Sequence, residues 1–162
     1  MEASSLDGWH RAMNLYHFAY AALPLALAPL AIPGLWCYAN RDPQKRFVLA
    51  ERLGYDPRTH AHAFNGSPKI WLHAVSVGEV KAAEPLIDAL HAIYPAAAFL
   101  LTTTTATGQS EALRRLEGLA TVRYAPVDLW TAVGRFLFAF RPDALVCMET
   151  EIWPNWIEKA RR

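Results

Sequence analysis

Lys69-Ile70-Trp71-Leu72-His73-Ala74-Val75-Ser76-Val77-Gly78-Glu79 is the stretch on which the reading of the fold turns. After Lys69, residues 70–75 are an apolar run with the length of a buried strand. The run breaks at Ser76-Val77-Gly78, a loop of small residues, and the acid Glu79 stands where a helix-like segment begins. Two readings of Glu79 stay open. It is a first-turn acid that complements the helix dipole, or it is an acid presented at the carboxyl end of a strand, where open α/β sheets place their ligands.

The same unit recurs downstream. A helix over residues 80–93, with Leu86, Ile87, Leu90 and Ile93 along one face, ends before Pro95. Further strands are expected over 97–102, 121–124 and 144–148, further helices over 109–117 and 129–140, and a last helix towards Arg162. Alternating strands and helices give a parallel sheet with right-handed crossovers, a Rossmann-like α/β fold with helices on both faces. In such a sheet every strand exit shares one edge. The four loops of unusual composition, 76–79, 102–108, 126–128 and 149–155, all fall on that edge.

Upstream, residues 41–68 read as a juxtamembrane helix and linker: Gly54 after Leu53 is a helix C-cap, Asp56-Pro57 breaks the chain, and Asn65-Gly66-Ser67-Pro68 is a turn. Residues 13–40 read as a membrane anchor, preceded by an extension over residues 1–12. From Ala12 to Asn40 there is no Asp, Glu, Lys or Arg, and Trp9, Tyr16 and Tyr20 at one end face Trp36 and Tyr38 at the other in the manner of interfacial belts. Pro24, Pro29 and Pro33 leave a kinked span and an interfacial helix pair both open. Arg41, Lys45, Arg46 and Arg52 follow the run and only Arg11 precedes it, which puts the C-terminal side in the cytoplasm.

Composition excludes several classes. Lys and Arg total 16 against 15 Asp and Glu, so no basic field argues for nucleic acid. Cys37 and Cys147 lie far apart with no CxxC spacing, which fits a reducing compartment and neither a disulfide framework nor zinc. No His, Asp or Cys cluster has metal spacing, so no protein-bound metal or other cofactor is expected. There is no Gly-Lys-Thr phosphate loop, no Gly-x-Gly-x-x-Gly and no Gly-x-Ser-x-Gly elbow.

The loops offer other chemistry. Glu79 and Glu149 leave two strand ends of one edge, where one carboxylate can take a hydroxyl proton and the other can tune or stabilise charge. The competing reading of Glu149 and Glu151 is a pair of first-turn helix acids. The loop Thr103-Thr104-Thr105-Ala106-Thr107-Gly108 brings hydroxyls and a helix N-terminus suited to an anion or sugar hydroxyls. His73 reads as a satisfied core histidine. Trp153-Pro154-Asn155 is a wall for a sugar ring or a hydrophobic helix start.

Residues 73–79 (HAVSVGE), 102–108 (TTTTATG) and 148–155 (METEIWPN), with Glu51-Arg52-Leu53-Gly54-Tyr55 and the apolar N-terminus, resemble the amino-terminal half of the 3-deoxy-D-manno-octulosonic acid (Kdo) transferases. The resemblance runs from about Asn14 onward. It implies a two-domain glycosyltransferase of the GT-B type, a twin Rossmann-like architecture, at the cytoplasmic face of the inner membrane. Such enzymes transfer Kdo from CMP-Kdo to the lipid A precursor, lipid IVA, in lipopolysaccharide synthesis, with inversion and without a protein-bound metal. It implies that Glu79 is the proton acceptor and Glu149 the transition-state stabiliser. Ser76, Gly78 and Thr104 lie in the same motifs, on the substrate-binding side, with no individual role carried over. The family's second half, which holds most of the CMP cradle, has no counterpart here. Residues 69–162 are thus expected to be an acceptor-binding domain that is inactive alone. The alternative is a non-catalytic, membrane-tethered Rossmann-like binding module.

Overall fold

The computed structural model describes residues 20, 22, 26–55, 64–149, 151 and 153–161. The expected extension 1–12, residues 13–19, 21 and 23–25 of the expected anchor, and residues 56–63 of the expected linker lie outside the described residues. The chain divides into two compact units, Met1–Arg46 and Phe47–Arg162.

In the first unit, residues 26–40 form a helix, α1, that carries no charged side chain and exposes Leu27, Leu30, Ile32, Leu35, Trp36 and Tyr38. Among the described residues no helix is long and apolar enough to cross a membrane. Asp42 Oδ1 accepts from Gln44 N at 2.8 Å, an Asx turn that starts α2 (Pro43–Arg52).

The second half of α2 belongs to the second unit, whose remaining elements are β1 (Lys69–His73), α3 (Val77–Ile93), β2 (Ala98–Thr103), α4 (Ala106–Arg115), β3 (Thr121–Tyr124), α5 (Trp130–Phe140), β4 (Ala144–Cys147) and α6 (Pro154–Ala160). The four strands pair in parallel in the order β3-β2-β1-β4. The expected parallel α/β sheet is therefore present. Helices α3 and α4 start three residues earlier than the periodicity suggests, because Ser76 and Thr105 cap them and recruit the loop residues that follow.

Period-two alternation sorts β1 onto two faces. Ile70 and Leu72 pack with Val80, Ala83 and Ile87 of α3 and Ala112 of α4. Trp71 points the other way, into Val133, Phe136 and Phe140 of α5 and Trp156 of α6. The chain winds outward from β1 to β2 to β3 over the first face, then crosses back on the second face through α5 to place β4 on the far side of β1. That reversal of strand order makes the carboxyl ends of β1 and β4 the topological switch point, the place at which open α/β sheets bind ligands.

Gly54 takes a left-handed φ of 78°, the C-cap expected of it, and turns the chain after α2 against α5. The stretch around it does more than connect. Buried Glu51 accepts from Tyr124 N at 3.2 Å, and Val127 N donates to Arg52 O at 2.8 Å, so the end of α2 covers the outer edge of β3.

Candidate functional site

Glu79 lies at the switch point of the sheet, at the third position of α3 and nearly buried. Its Oε2 accepts from Val75 N at 2.8 Å, and its Oε1 accepts from Ser76 N at 3.1 Å and Ser76 Oγ at 2.7 Å. Glu79 N in turn donates to Ser76 Oγ at 3.3 Å, which completes a capping box. The box explains why the pairing does not run on to Val75: Ala74 N still donates to Thr102 O at 2.9 Å, but the amides of Val75 and Ser76 turn to the carboxylate. A carboxylate offers about four lone-pair positions. Three are filled, and the fourth, on Oε2, has no partner among the described residues.

Ser76 is exposed and is the N-cap. Gly78 is exposed too, and a Cβ there would touch only Ser76 Oγ, at 3.8 Å, so crowding does not demand the glycine. Gly108 is different. A Cβ there would meet Thr105 Oγ1 at 2.9 Å and Val75 O at 3.0 Å, because the head of α4 presses against the β1–α3 loop. Thr105 Oγ1 donates to Val75 O at 3.0 Å across that contact. The threonine loop is thereby fixed beside the Glu79 turn. Thr104 is half-buried, and its Oγ1 is enclosed with no hydrogen-bond partner among the described residues.

The β4–α6 loop forms the opposite wall. Met148 N donates to His73 O at 2.9 Å, which extends the β1–β4 pairing by one step. Glu149 follows and is exposed. Helix α6 begins only at Pro154, so neither Glu149 nor Glu151 is a first-turn helix acid. From there the loop runs back over β1 towards the β3–α5 loop. Asp128, buried, caps the start of α6 by accepting from Asn155 N at 3.3 Å and Trp156 N at 3.2 Å, while Asn155 Nδ2 donates to Asp128 O at 2.6 Å. Of the 126–128 loop, Asp128 thus serves α6 rather than a ligand. Trp153 stacks on Trp156, 5.2 Å between centroids and 19° between planes.

Under this loop lies His73. It is buried as expected, yet only half satisfied: Nδ1 lies 2.9 Å from Thr102 Oγ1, whereas Nε2 has no hydrogen bond and sits 3.5 Å from Glu151 Oε2. Trp153 Nε1 donates to the same Oε2 at 3.0 Å. Desolvation holds the His73 imidazole below its ordinary value, against the opposing pull of Glu151 and a weaker one from Glu79. Desolvation and the Glu151 charge also push the Cys147 thiol up.

The structure therefore brings Ser76, Gly78 and Glu79 into one turn, sets the Thr104 loop beside it, and places Glu149 at the end of the neighbouring strand. Sequence reasoning passed over the contact of His73 with Glu151. The signal was the alternation that puts Trp71 and His73 on one face of β1, beneath a Trp153/Trp156 pair. Among the described residues no group of His, Cys, Asp or Glu side chains could hold a metal ion.

The sequence family described as 3-deoxy-D-manno-octulosonic-acid transferase (kdotransferase) matches residues 47–162, almost the bounds of the second compact unit. A 3-deoxy-D-manno-octulosonic acid transferase of Haemophilus influenzae is 36% identical over 147 residues, which cover 90% of this chain and 33% of the relative. One from Bordetella pertussis is 38% identical over 141 residues, 83% of this chain and 32% of the relative. A probable mitochondrial 3-deoxy-D-manno-octulosonic acid transferase of Arabidopsis thaliana is 38% identical over 91 residues, 56% of this chain and 20% of the relative. The chain spans about a third of the length of the two bacterial relatives.

Proposed function

The chain belongs to the 3-deoxy-D-manno-octulosonic-acid transferase family, a family of glycosyltransferases, and from that premise we propose that it is the acceptor-binding part of a Kdo transferase. In this reading the donor is CMP-Kdo and the acceptor is the lipid A precursor, lipid IVA. Glu79 takes the proton of the attacking sugar hydroxyl on the open lone pair of Oε2. The hydroxyl oxygen bonds to the anomeric carbon of Kdo while the bond from that carbon to the CMP phosphate oxygen breaks, its electron pair leaving with CMP, and the carbon inverts. Glu149, on the facing loop, stabilises the positive charge that builds at the anomeric carbon. Ser76 and Gly78 shape the turn that presents Glu79, and the enclosed Thr104 hydroxyl is a further polar group on the acceptor side. No cofactor enters.

One observation carries the reading: an acid with one acceptor position to spare, fixed by its own turn at the switch point of the sheet. The donor cradle is assigned to the part of the relatives that this chain does not match, in a GT-B arrangement with a second Rossmann-like domain. Purified residues 1–162 are accordingly expected to bind lipid IVA and to form no Kdo-lipid from CMP-Kdo. Product formed unaided would overturn the division of labour.

A second reading, a membrane-tethered binding module without catalysis, is favoured by the capping box, which gives Glu79 a sufficient structural reason to be there. Glu79→Gln separates the two in a transferase that carries these residues, since turnover is lost only if the carboxylate is the base. In both readings the charge-free α1, with its exposed leucines and Trp36, lies against the cytoplasmic face of the inner membrane, and Arg41, Lys45 and Arg46 face its anionic head groups.

A further inference from the structure

Trp71, Thr102 and His73 form a hydrogen-bonded row, and beyond it the far side of the His73 ring faces the Glu151 carboxylate. Trp71 Nε1, which can only donate, gives its proton to Thr102 Oγ1 at 2.8 Å. The Thr102 hydroxyl has one proton of its own to give. Leu72 O lies 3.4 Å from it, and His73 Nδ1 lies 2.9 Å from the same hydroxyl and 3.1 Å from Thr102 O, so Thr102 holds that ring nitrogen with both its groups. The other ring nitrogen, Nε2, faces Glu151 Oε2, 3.5 Å off. Trp153 Nε1 aims at the same oxygen from the other side.

Both protein contacts of the Glu151 carboxylate therefore fall on Oε2. Oε1 has no hydrogen bond among the described residues, and the Glu151 side chain is 37% exposed while that of His73 is 2% exposed. A carboxylate with one oxygen tied to the fold and the other without a partner among the described residues is suited to a sugar hydroxyl, whose O–H it can accept. Glu149, two residues earlier, is exposed and has no such anchor.

We propose that Glu151 binds a hydroxyl of the acceptor sugar and that the buried His73 is its positioning residue, acting on the acceptor only through Glu151. The assignment rests on the acceptor-binding reading and names a residue and a contact within it. The charged or titratable groups acting on the ring are Glu151 on the β4–α6 loop and Glu79 at the head of α3, with Cys147 its register partner on β4. From α6 the ring meets Trp156, while Lys159 lies over Trp130 of α5 instead.

A double-mutant cycle on residues 1–162, with lipid IVA in detergent micelles as the probe, tests this. His73→Phe keeps the ring volume against Trp156 and removes Nε2. It is expected to weaken lipid IVA binding about tenfold in the otherwise unchanged chain and less than about twofold in a Glu151→Ala background, the non-additivity of two residues acting as a unit. His73→Gln, which can offer an N–H to Oε2, is expected to restore most of the loss. Equal losses in both backgrounds, or a Glu151→Ala chain that binds as tightly as the unaltered one, would overturn the proposal; the second criterion holds even if His73→Phe does not fold. The same cycle read on urea unfolding midpoints measures the His73–Glu151 coupling without ligand. A wild-type chain that binds no lipid IVA refutes the acceptor reading, and the unfolding cycle then decides the pair alone, additive effects sinking it and coupled effects sustaining it.

Discussion

At the scale of single residues, one carboxylate holds a turn and offers a base with the same two oxygens. Gln at the third helical position can complete a capping box as Glu does. Glu79→Gln keeps an acceptor for Ser76 but sets its NH2 against Val75 N, so it is expected to lower the urea midpoint of residues 1–162 less than Glu79→Ala, which strips three acceptor contacts and lowers stability by about 1–2 kcal/mol. Equal losses in the two variants would show that the box does not hold α3. His73 gives a pH signature with a definite sign. Burial lowers its proton affinity in the folded chain relative to the ordinary value of 6.5, so the unfolded chain binds more protons below that value. Stability is then lost as pH falls through the ordinary value towards the lower folded-state value, and is flat in this component above. Replacing His73 with Phe should remove that component of the slope, read as the change in unfolding midpoint across this window.

At the scale of elements, what the sequence made legible was whatever is written locally. Ser76 and Thr105 cap helices within their own turns, Gly54 marks its own left-handed turn, and the apolar runs around Trp71, Leu100 and Val122 declare strands by composition. What was not legible depends on partners brought from far along the chain. Glu51 reads as one more charge in a connector until β3 arrives with Tyr124 N, and Asp128 reads as a loop acid until α6 arrives 27 residues later. Glu151 likewise reads as a helix acid until β1 offers His73. These contacts predict their own cost. Asp128→Ala leaves two amides of α6 uncapped in a buried setting and is expected to lower stability by about 1–2 kcal/mol, with loosened α6 amides in hydrogen exchange. Gly54→Ala meets both a positive φ of 78° and contacts of 2.8 Å to Arg135 Cβ and 2.9 Å to Ala132 O, and is expected to cost more than about 1 kcal/mol. An unaltered midpoint for Gly54→Ala would mean that the end of α2 does not rest on α5.

At the scale of the whole molecule, the two compact units ask for different surroundings. Both apolar clusters of the second unit are built entirely from residues between Phe64 and Trp156, and α2 contributes Glu51 and Arg52 from within the same unit. Among the described residues, neither cluster includes one before Phe47. A chain beginning at Phe47 is therefore expected to unfold in one cooperative transition at the midpoint of the longer chain, within about 1 kcal/mol, since distant and independent changes leave each other's energetics alone. The first unit has no such core among its described residues: α1 exposes six large apolar side chains and carries no charge to hold them in water. Burial of such side chains in an acyl layer is worth about 25 cal/mol per Å², and each of the basic residues that follow adds about 1 kcal/mol near anionic lipid. Residues 1–162 are thus expected to float with anionic vesicles, and the chain beginning at Phe47 to stay behind. High salt should weaken flotation without abolishing it, because it screens Arg41, Lys45 and Arg46 but leaves the apolar contribution in place. Equal flotation of the two chains would move the membrane contact onto the α/β unit, and flotation of neither would remove the membrane from the proposal while leaving the switch point and its acids untouched.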